Sequence, residues 1–235
     1  MPPSYPTRGR AELLPHAAYV SRWANHKEEV MLQDKSLWYY GSVYHRVIDG
    51  KLEEARQIIA DLVSEGASVL DIGCGTGALC LKLCQHRHCR VIGLDLSRKM
   101  IRFAEDKNSC PNVTFVHGDA TNLSIYPDHS FDFAVMLVFI HELDAARQKQ
   151  ALSEAMRVAN RLIICDSVDS LPRNKGGFLI WLAETLFGCE HRPHFKRFLA
   201  QGGIKGLLDT SDLFAKIEYS QVFWYGAREV FVVSR

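Results

Sequence analysis

The sequence predicts an α/β fold built on a doubly wound, mostly parallel sheet. Strand-like and helix-like patterns alternate five times between residues 50 and 165. The strands are short and almost continuously apolar, as is typical of parallel strands covered on both faces. The chain ends in two β-rich runs joined by only four residues, too few for a crossover helix, so these last two strands must pair antiparallel.

The elements can be placed in order from residue 50 onwards. The first helix ends at Gly66 and carries one apolar face, made of Leu52, Ala55, Ile59, Leu62 and Val63. Ser97 and Asp144 precede later helices, where short polar side chains cap free backbone N–H groups. Further helices are expected over 78–86, 178–187 and 194–201. Strands are expected over 68–72, 90–94, 112–117, 131–137, 161–165, 215–224 and 229–234.

Composition narrows the class of protein. The 235 residues carry a formal net charge of +1, so the chain has no global attraction to nucleic acid or to an anionic membrane. The longest apolar run, Phe133 to Ile140, is far shorter than the roughly 18 residues of a membrane span. The first residues do not resemble a signal peptide. Seven scattered cysteines fit a reduced, cytoplasmic protein, and the spacing of Cys84-Gln-His-Arg-His-Cys89 does not match structural zinc, so no metal is expected.

Residues 1–49 differ from the rest of the chain. They are rich in aromatic side chains, and the pattern over residues 18–48 favours two short helices. We expect this segment to form a helical lid on a domain that occupies residues 50–235. Tyr40 and Tyr44 are candidate substrate contacts within it, because aromatic faces attract cations, although packing in a helix core explains them as well.

A glycine-rich turn carries the first functional signal. Gly73, Gly75 and Gly77 lie directly between a predicted strand and a predicted helix. Glycine permits a tight turn and a close approach of ligand to backbone, and the helix N-terminus offers free N–H groups. The spacing alone also satisfies the relaxed dinucleotide pattern, so a nucleotide-type ligand is indicated without a choice between cofactor classes.

Three acidic residues favour one of these classes. Asp71 stands just before the turn, where a carboxylate suits a cationic ligand and opposes a pyrophosphate. Asp95 ends the second predicted strand, in the position to accept hydrogen bonds from both hydroxyls of a ribose. Asp119 follows the third strand at the same edge of the sheet, where it can accept from an adenine amino group.

These motifs carry a family resemblance. The string Val69-Leu-Asp-Ile-Gly-Cys-Gly-Thr-Gly77 resembles the first motif of class I S-adenosylmethionine-dependent methyltransferases. Three further motifs of that family are similar in order and spacing, namely Gly93-Leu-Asp-Leu-Ser97 with Met100, Gly118-Asp119-Ala120 and Phe131-Asp132-Phe133. The resemblance covers about residues 66 to 166. It implies a seven-stranded Rossmann-like sheet with an antiparallel last strand, and the small-molecule branch that includes ubiquinone- and menaquinone-type enzymes.

The resemblance implies S-adenosyl-L-methionine as the cofactor. Asp71 would orient its amino end, and Asp95 would hold its ribose. The glycine turn would line the methionine and ribose portions through Gly73, Cys74, Gly75 and Gly77. The remaining implied contacts, to the adenine and along the cofactor, are Leu96, Met100, Asp119, Ala120 and the main chain of Leu137.

The acceptor side is less specific. Methyl transfer is an in-line displacement, so a general base is needed only when the acceptor is protonated. His141 and Glu142 follow the fourth strand and are the catalytic candidates. In the alternative interpretation, His141 only packs at the start of the next helix and Glu142 only places a negative charge at that helix N-terminus. Glu190 and His191 are candidate substrate contacts in a later polar stretch. The alternative is that this stretch is a solvated loop.

Three other functions remain open at this point. An NAD(P)-dependent oxidoreductase would need a Tyr-x-x-x-Lys or similar pair, which is absent. A methyltransferase for nucleic-acid amines would carry Asn/Asp-Pro-Pro-aromatic after the fourth strand, where this chain has Leu137-Val-Phe-Ile140. A non-catalytic S-adenosylmethionine-binding protein stays an alternative. The expected partner is therefore a small-molecule methyl acceptor, with no nucleic acid, no membrane span and an unknown oligomeric state.

Overall fold

The computed structural model describes Pro3, Tyr5 and residues 49–186, 192–211, 213 and 215–235. Four candidate substrate contacts, Tyr40, Tyr44, Glu190 and His191, lie outside the described residues. So does almost all of the segment 1–49, and its assignment as a lid stays a prediction.

The described strands form a single seven-stranded sheet in the order β3-β2-β1-β4-β5-β7-β6. All neighbours pair parallel except β7, which is antiparallel to both β5 and β6. The predicted fold class is thus confirmed, including the reversed last strand. The strands are β1 (Ser68–Ile72), β2 (Arg90–Asp95), β3 (Val113–His117), β4 (Phe131–Leu137), β5 (Ala159–Ser167), β6 (Lys216–Phe223) and β7 (Arg228–Ser234).

Helices cover both faces of the sheet, because the buried strands present apolar side chains alternately to each side. Val69 and Val91 pack in a cluster with the first helices, whereas Leu70 and Ile72 pack with the later ones. The helices are α1 (Glu53–Leu62), α2 (Ala78–Arg87), α3 (Arg98–Lys107), α4 (Ala145–Val158), α5 (Lys175–Leu186), α6 (Arg192–Ala200) and α7 (Gly203–Thr210). Two 3-10 turns, Asp49–Leu52 and Ile140–Glu142, precede α1 and α4.

Asp132 fixes β4 against β1 at the amino edge of the sheet. One of its carboxylate oxygens accepts from the backbone N–H of Ser68 at 2.9 Å and from the Ser68 hydroxyl at 2.8 Å. The same hydroxyl oxygen accepts from the backbone N–H of Asp132 at 3.0 Å. These buried, reciprocal hydrogen bonds between Ser68 and Asp132 fix the register of β1 and β4, the two strands whose carboxyl ends form the site.

The predicted caps are present. The Ser97 hydroxyl accepts from the Met100 N–H, and the Asp144 carboxylate accepts from the N–H groups of Ala146 and Arg147. The sequence did not indicate α7, which begins after two glycines in left-handed conformation, Gly202 and Gly203. None of the helices in the described ranges is long and apolar enough to cross a membrane.

Candidate active site

A cleft opens where β1 and β4 end, on the side of the sheet that carries α1 and α2. The carboxyl ends of parallel strands are where open α/β sheets bind ligands. Both strands contribute to its wall, together with the turn after β1 and the start of α1. The lining residues are Leu52, Arg56, Asp71, Gly73, Cys74, Gly75, Thr76, Ala78, Leu79 and Leu137.

The glycine turn is held by β2. The N–H groups of Gly73 and Cys74 both donate to the Leu94 carbonyl, at 2.8 and 3.0 Å, and the Gly75 N–H donates to the Asp95 carboxylate at 2.9 Å. All three glycines of the turn have positive φ. A Cβ on Gly75 would meet no atom within 4 Å, so the backbone at this glycine borders open space.

Asp71 lies at the base of this turn with only 2% of its surface exposed. The Cys80 thiol donates to its carboxylate at 3.1 Å. Burial raises the pKa of Asp71 to about 7; the Cys80 hydrogen bond opposes this shift, and the Asp95 carboxylate adds to it. Arg56, buried on α1, lines the same cleft and favours the charged form of Asp71. One end of the cleft therefore holds both a carboxylate and a guanidinium. Together they can bind the ammonium and the carboxylate of an amino-acid ligand.

Asp95 joins the turn to the next helix. One carboxylate oxygen accepts a hydrogen bond from the Gly75 N–H, and the other accepts one from the Ser97 N–H at 2.8 Å. The side chain is half-buried, so part of it is accessible to a ligand. Leu96 is half-buried beside it, whereas Met100 is 5% exposed and packs in the helix.

Asp119 and Ala120 follow β3 at the same edge. An Asp119 oxygen accepts from the N–H and the hydroxyl of Thr121, at 2.9 and 2.8 Å, which is an ordinary turn contact for this residue type. Asp119 stays half-buried, and Ala120 is buried. Neither lines the cleft as described above, and their contact with adenine stays a prediction.

The chain turns sharply after β4. Val138 adopts φ of 53°, which is rare for a β-branched residue, and donates its N–H to the Cys165 carbonyl at 2.8 Å. This turn places the Phe139 ring over Gly73, where an added Cβ would lie 2.5 Å from a ring carbon. Strained backbone of this kind concentrates at functional sites.

His141 is enclosed by charge and aromatic rings. Its Nδ1 lies 2.8 and 2.9 Å from the two oxygens of Asp166, which is fully buried, and its Nε2 lies 3.7 Å from Glu184 of α5. Phe195 packs edge-on against the imidazole at 5.3 Å. Burial lowers the pKa of His141, but the carboxylates of Asp166 and Glu184 outweigh it and raise the pKa to about 9. The imidazole is thus protonated at neutral pH.

Glu142 has a different environment. It is half-buried, and its carboxylate makes no hydrogen bond or ion pair within the described parts of the chain. Burial raises the pKa of Glu142 to about 7, with His141 opposing the shift and Asp95 adding to it. Of the two catalytic candidates, Glu142 is therefore the one that changes protonation near neutrality.

Sequence reasoning missed three charged residues of this region. Arg56 stood within an otherwise apolar helix face, where its charge was the available signal. Asp166 ends β5 at the edge that was expected to face ligand, so its position could have identified it. Glu184 had no local signal, because only the packing of α5 brings it to His141.

Comparisons with known proteins agree with this geometry. Residues 69–161 match a family model described as a methyltransferase domain. O-methyltransferase cnsE of Penicillium expansum is 26% identical over 181 residues, which cover 70% of this chain and 65% of that protein. Phosphoethanolamine N-methyltransferase 1 of Arabidopsis thaliana is 24% identical over 199 residues, covering 81% of this chain and 40% of that protein. The chain thus spans less than two thirds of either relative.

Solved structures share the fold. The PH0226 protein from Pyrococcus horikoshii superimposes with a TM-score of 0.62 at 20% identity, covering 82% of this chain and 98% of that one. A SAM-dependent methyltransferase from Aquifex aeolicus gives 0.61 at 20% identity, covering 83% and 98%. The resemblance seen in the motifs is confirmed by the family match and by the sheet order. Residues 69–161 match a methyltransferase domain, and the seven-stranded sheet of the described residues has the fold of solved S-adenosylmethionine-dependent methyltransferases.

Proposed function

We propose that this protein transfers the methyl group of S-adenosylmethionine to a small-molecule acceptor. The observation that carries the proposal is the junction of the glycine turn with Asp95. The Asp95 carboxylate accepts from the Gly75 N–H, is only half-buried, and lies beside the open space at Gly75. An NAD(P)-type ligand is disfavoured by the buried Asp71, which would oppose a pyrophosphate at this turn.

The residues present fit this cofactor. Asp71 and Arg56 would bind the ammonium and carboxylate of its methionine portion, because they provide opposite charges at one end of the cleft. Asp95 would accept from the ribose hydroxyls. The other contacts proposed from the family motifs are Gly73, Cys74, Gly77, Leu96, Met100, Asp119, Ala120 and Leu137.

When bound, the cofactor supplies a methyl carbon activated by a sulfonium. The protein's part is to position the acceptor in line and to exclude water from it. The turn after β4 serves both tasks, since Leu137 lines the cleft and the Phe139 ring covers the glycine turn.

Glu142 is the proposed general base, for acceptors that carry a proton on the attacking atom. It follows the same turn, has no competing partner among the described residues, and has a pKa of about 7, which suits proton transfer at neutral pH. His141 is instead a positioning residue. Its Nδ1 faces Asp166 and its Nε2 faces Glu184, so the protonated imidazole orders the turn without accepting a proton itself.

The proposed acceptor class is supported by one relative's name and by the residues after β4. One of the two relatives named above is a phosphoethanolamine N-methyltransferase, whose named acceptor is a small molecule. A nucleic-acid substrate is not proposed. Six free cysteines in the described ranges support a reducing, cytoplasmic location.

The segment 1–49 is proposed to cover the cleft. Tyr5, near its start, packs on Phe133 at 6.0 Å, and Leu52, just after its end, lines the cleft. Tyr40 and Tyr44 in this segment, with Glu190 and His191, remain the proposed substrate contacts.

Calorimetric titration tests the cofactor. The wild-type protein is titrated with S-adenosylmethionine, S-adenosylhomocysteine and NAD, in parallel with Asp95→Ala and with Asp209→Ala, an exposed acid on α7. We expect both sulfur ligands to bind to the wild type and to Asp209→Ala, and to bind at least about tenfold more weakly to Asp95→Ala, which loses charge-assisted hydrogen bonds. Binding of NAD without binding of either sulfur ligand would reject the proposal.

Mass spectrometry tests the reaction. Cell extract is incubated with the protein and a cofactor carrying a deuterated methyl group, and labelled small molecules are sought. Binding without any labelled product would favour the non-catalytic alternative.

A further inference from the structure

Helix α5 carries an apolar surface that the described part of the chain leaves exposed. Phe178 and Trp181 are one turn apart, are 57% and 51% exposed, and stack on each other at 5.9 Å between ring centroids. No charged residue lies between Lys175 and Glu184, so the middle of the helix is apolar on all sides. The Ile180 side chain of the same helix is buried in the core. An exposed pair of large aromatic rings on such a helix indicates a contact surface.

The tip of the β6–β7 hairpin extends this surface. Tyr225 is 58% exposed, and its carbonyl accepts from the Asn174 side chain at 2.7 Å. A Cβ on Gly176 would lie 2.8 Å from the Tyr225 Cβ, so the hairpin tip packs directly on the start of α5. Phe178, Trp181 and Tyr225 together are named the aromatic patch below.

Two cations stand at the rim of the aromatic patch. Lys175 lies 5.9 Å from the centroid of the Tyr225 ring, and Arg173 precedes it on the same connection. Both are exposed, and neither forms an ion pair within the described parts of the chain. The one carboxylate on α5, Glu184, faces inward to His141. The aromatic patch therefore has a positively charged rim.

We propose that the aromatic patch docks on the surface of an anionic lipid bilayer. Tryptophan and tyrosine favour the membrane–water interface, and exposed lysine and arginine beside them are attracted to anionic headgroups. The charges complement such a surface, because the two exposed cations, Arg173 and Lys175, border the apolar side chains that would insert. Single-stranded nucleic acid fits less well, since Phe178 and Trp181 stack on each other instead of presenting two free faces to bases.

Docking would also orient the proposed active site. Glu184 and Trp181 share α5, and Glu184 lies 3.7 Å from His141 after β4, so the bilayer would bind the helix that packs against the proposed catalytic turn. This orientation rests on the proposed function, whereas docking itself does not.

Vesicle sedimentation tests the proposal with the full chain. Vesicles of phosphatidylcholine alone are compared with vesicles that also contain phosphatidylglycerol. Three variants are used: Phe178→Ser with Trp181→Ser, Arg173→Gln with Lys175→Gln, and the control Ile217→Ser. The control removes an apolar side chain that is 44% exposed near the start of β6, at the end of the strand far from the hairpin tip.

We expect the wild type and the control to sediment with the anionic vesicles. The aromatic variant should bind about tenfold more weakly, because two large apolar groups no longer leave water. The cation variant should lose its preference for anionic vesicles. The proposal fails if the wild type does not bind, or if the control weakens as much as the aromatic variant. It also fails if sedimentation without lipid shows a dimer that the aromatic variant dissociates.

Quenching by brominated lipid gives a second measurement on the folded protein. Tryptophan fluorescence of the wild type should be quenched by vesicles, and Trp181→Phe should lose most of that quenching. Equal quenching in both proteins would place another surface at the bilayer and overturn the assignment.

Discussion

Three glycines have the same left-handed backbone conformation, so replacing each of them by alanine introduces the same backbone strain. Differences between the three variants then report packing and ligand binding. Gly66, Gly75 and Gly77 have φ of +72°, +52° and +76°. Alanine at each position places a Cβ in the left-handed region, which costs about 1–2 kcal/mol of stability. The expected losses differ because the surroundings differ. A Cβ at Gly66 or Gly75 meets nothing within 4 Å.

At Gly77 the added Cβ would lie 2.4 Å from the Phe115 Cζ and 3.1 Å from the Ala104 Cβ. Phe115 belongs to β3 and is buried in the same cluster as Ala104, so its ring has little room to move aside. Overpacking of this kind adds about 1–3 kcal/mol. Gly66→Ala and Gly75→Ala should therefore each lose about 1–2 kcal/mol, and Gly77→Ala about 2–5 kcal/mol.

Urea unfolding followed by circular dichroism measures these losses, and calorimetry measures cofactor binding on the same samples. Gly75→Ala should match Gly66→Ala in stability but bind S-adenosylmethionine more weakly, because its methyl group enters the space proposed for the ligand. Gly66→Ala should bind as the wild type does. The reasoning is refuted if Gly77→Ala is no less stable than Gly66→Ala, or if Gly75→Ala binds normally.

Three further predictions concern buried polar groups. Ser68→Ala should lose about 1–3 kcal/mol in urea unfolding, since it leaves the buried Asp132 carboxylate without one donor; an unchanged midpoint would contradict the role assigned to these hydrogen bonds. Because the folded pKa of His141 is raised from 6.5 to about 9, its contribution to stability is complete below pH 6.5 and is lost as the pH rises through about 9. The difference in unfolding free energy between wild type and His141→Gln should shrink over that range, and growth with pH would contradict it. The pKa of Asp71 is raised from 3.8 to about 7, so ionisation destabilises the fold as the pH rises from 3.8 through 7. Asp71→Asn should be more stable than the wild type at pH 8, by roughly 1–4 kcal/mol, and no more stable near pH 4.

The parts of the fold that the sequence predicted are those with local causes. β1 and β4 were predicted with their observed limits, because parallel strands buried on both faces are continuous apolar runs bounded by polar or glycine residues. The glycine turn was predicted because only glycine tolerates three positive φ values in so short a stretch.

Helix α7 shows where local causes are insufficient. Gly202, Gly203 and Gly206 make the segment a poor helix by intrinsic propensity. Its stability comes from packing instead, because Ile204 and Leu207 are buried in the cluster beneath β4 and β5. Such packing depends on neighbours that are distant in sequence and therefore left no periodic signal long enough to indicate a helix.

His141 shows the same limit within the site, and there it changes the chemistry. From the sequence, a histidine after the fourth strand is a candidate base, since its ordinary pKa is near neutrality. Its partners come from β5 and α5, 25 and 43 residues further along the chain. Asp166 and Glu184 convert it from a group that titrates near neutrality into a charge that stays fixed there. The motif identifies the residue, but partners brought together by the fold set its role. Glu142, and not His141, is therefore the proposed proton acceptor.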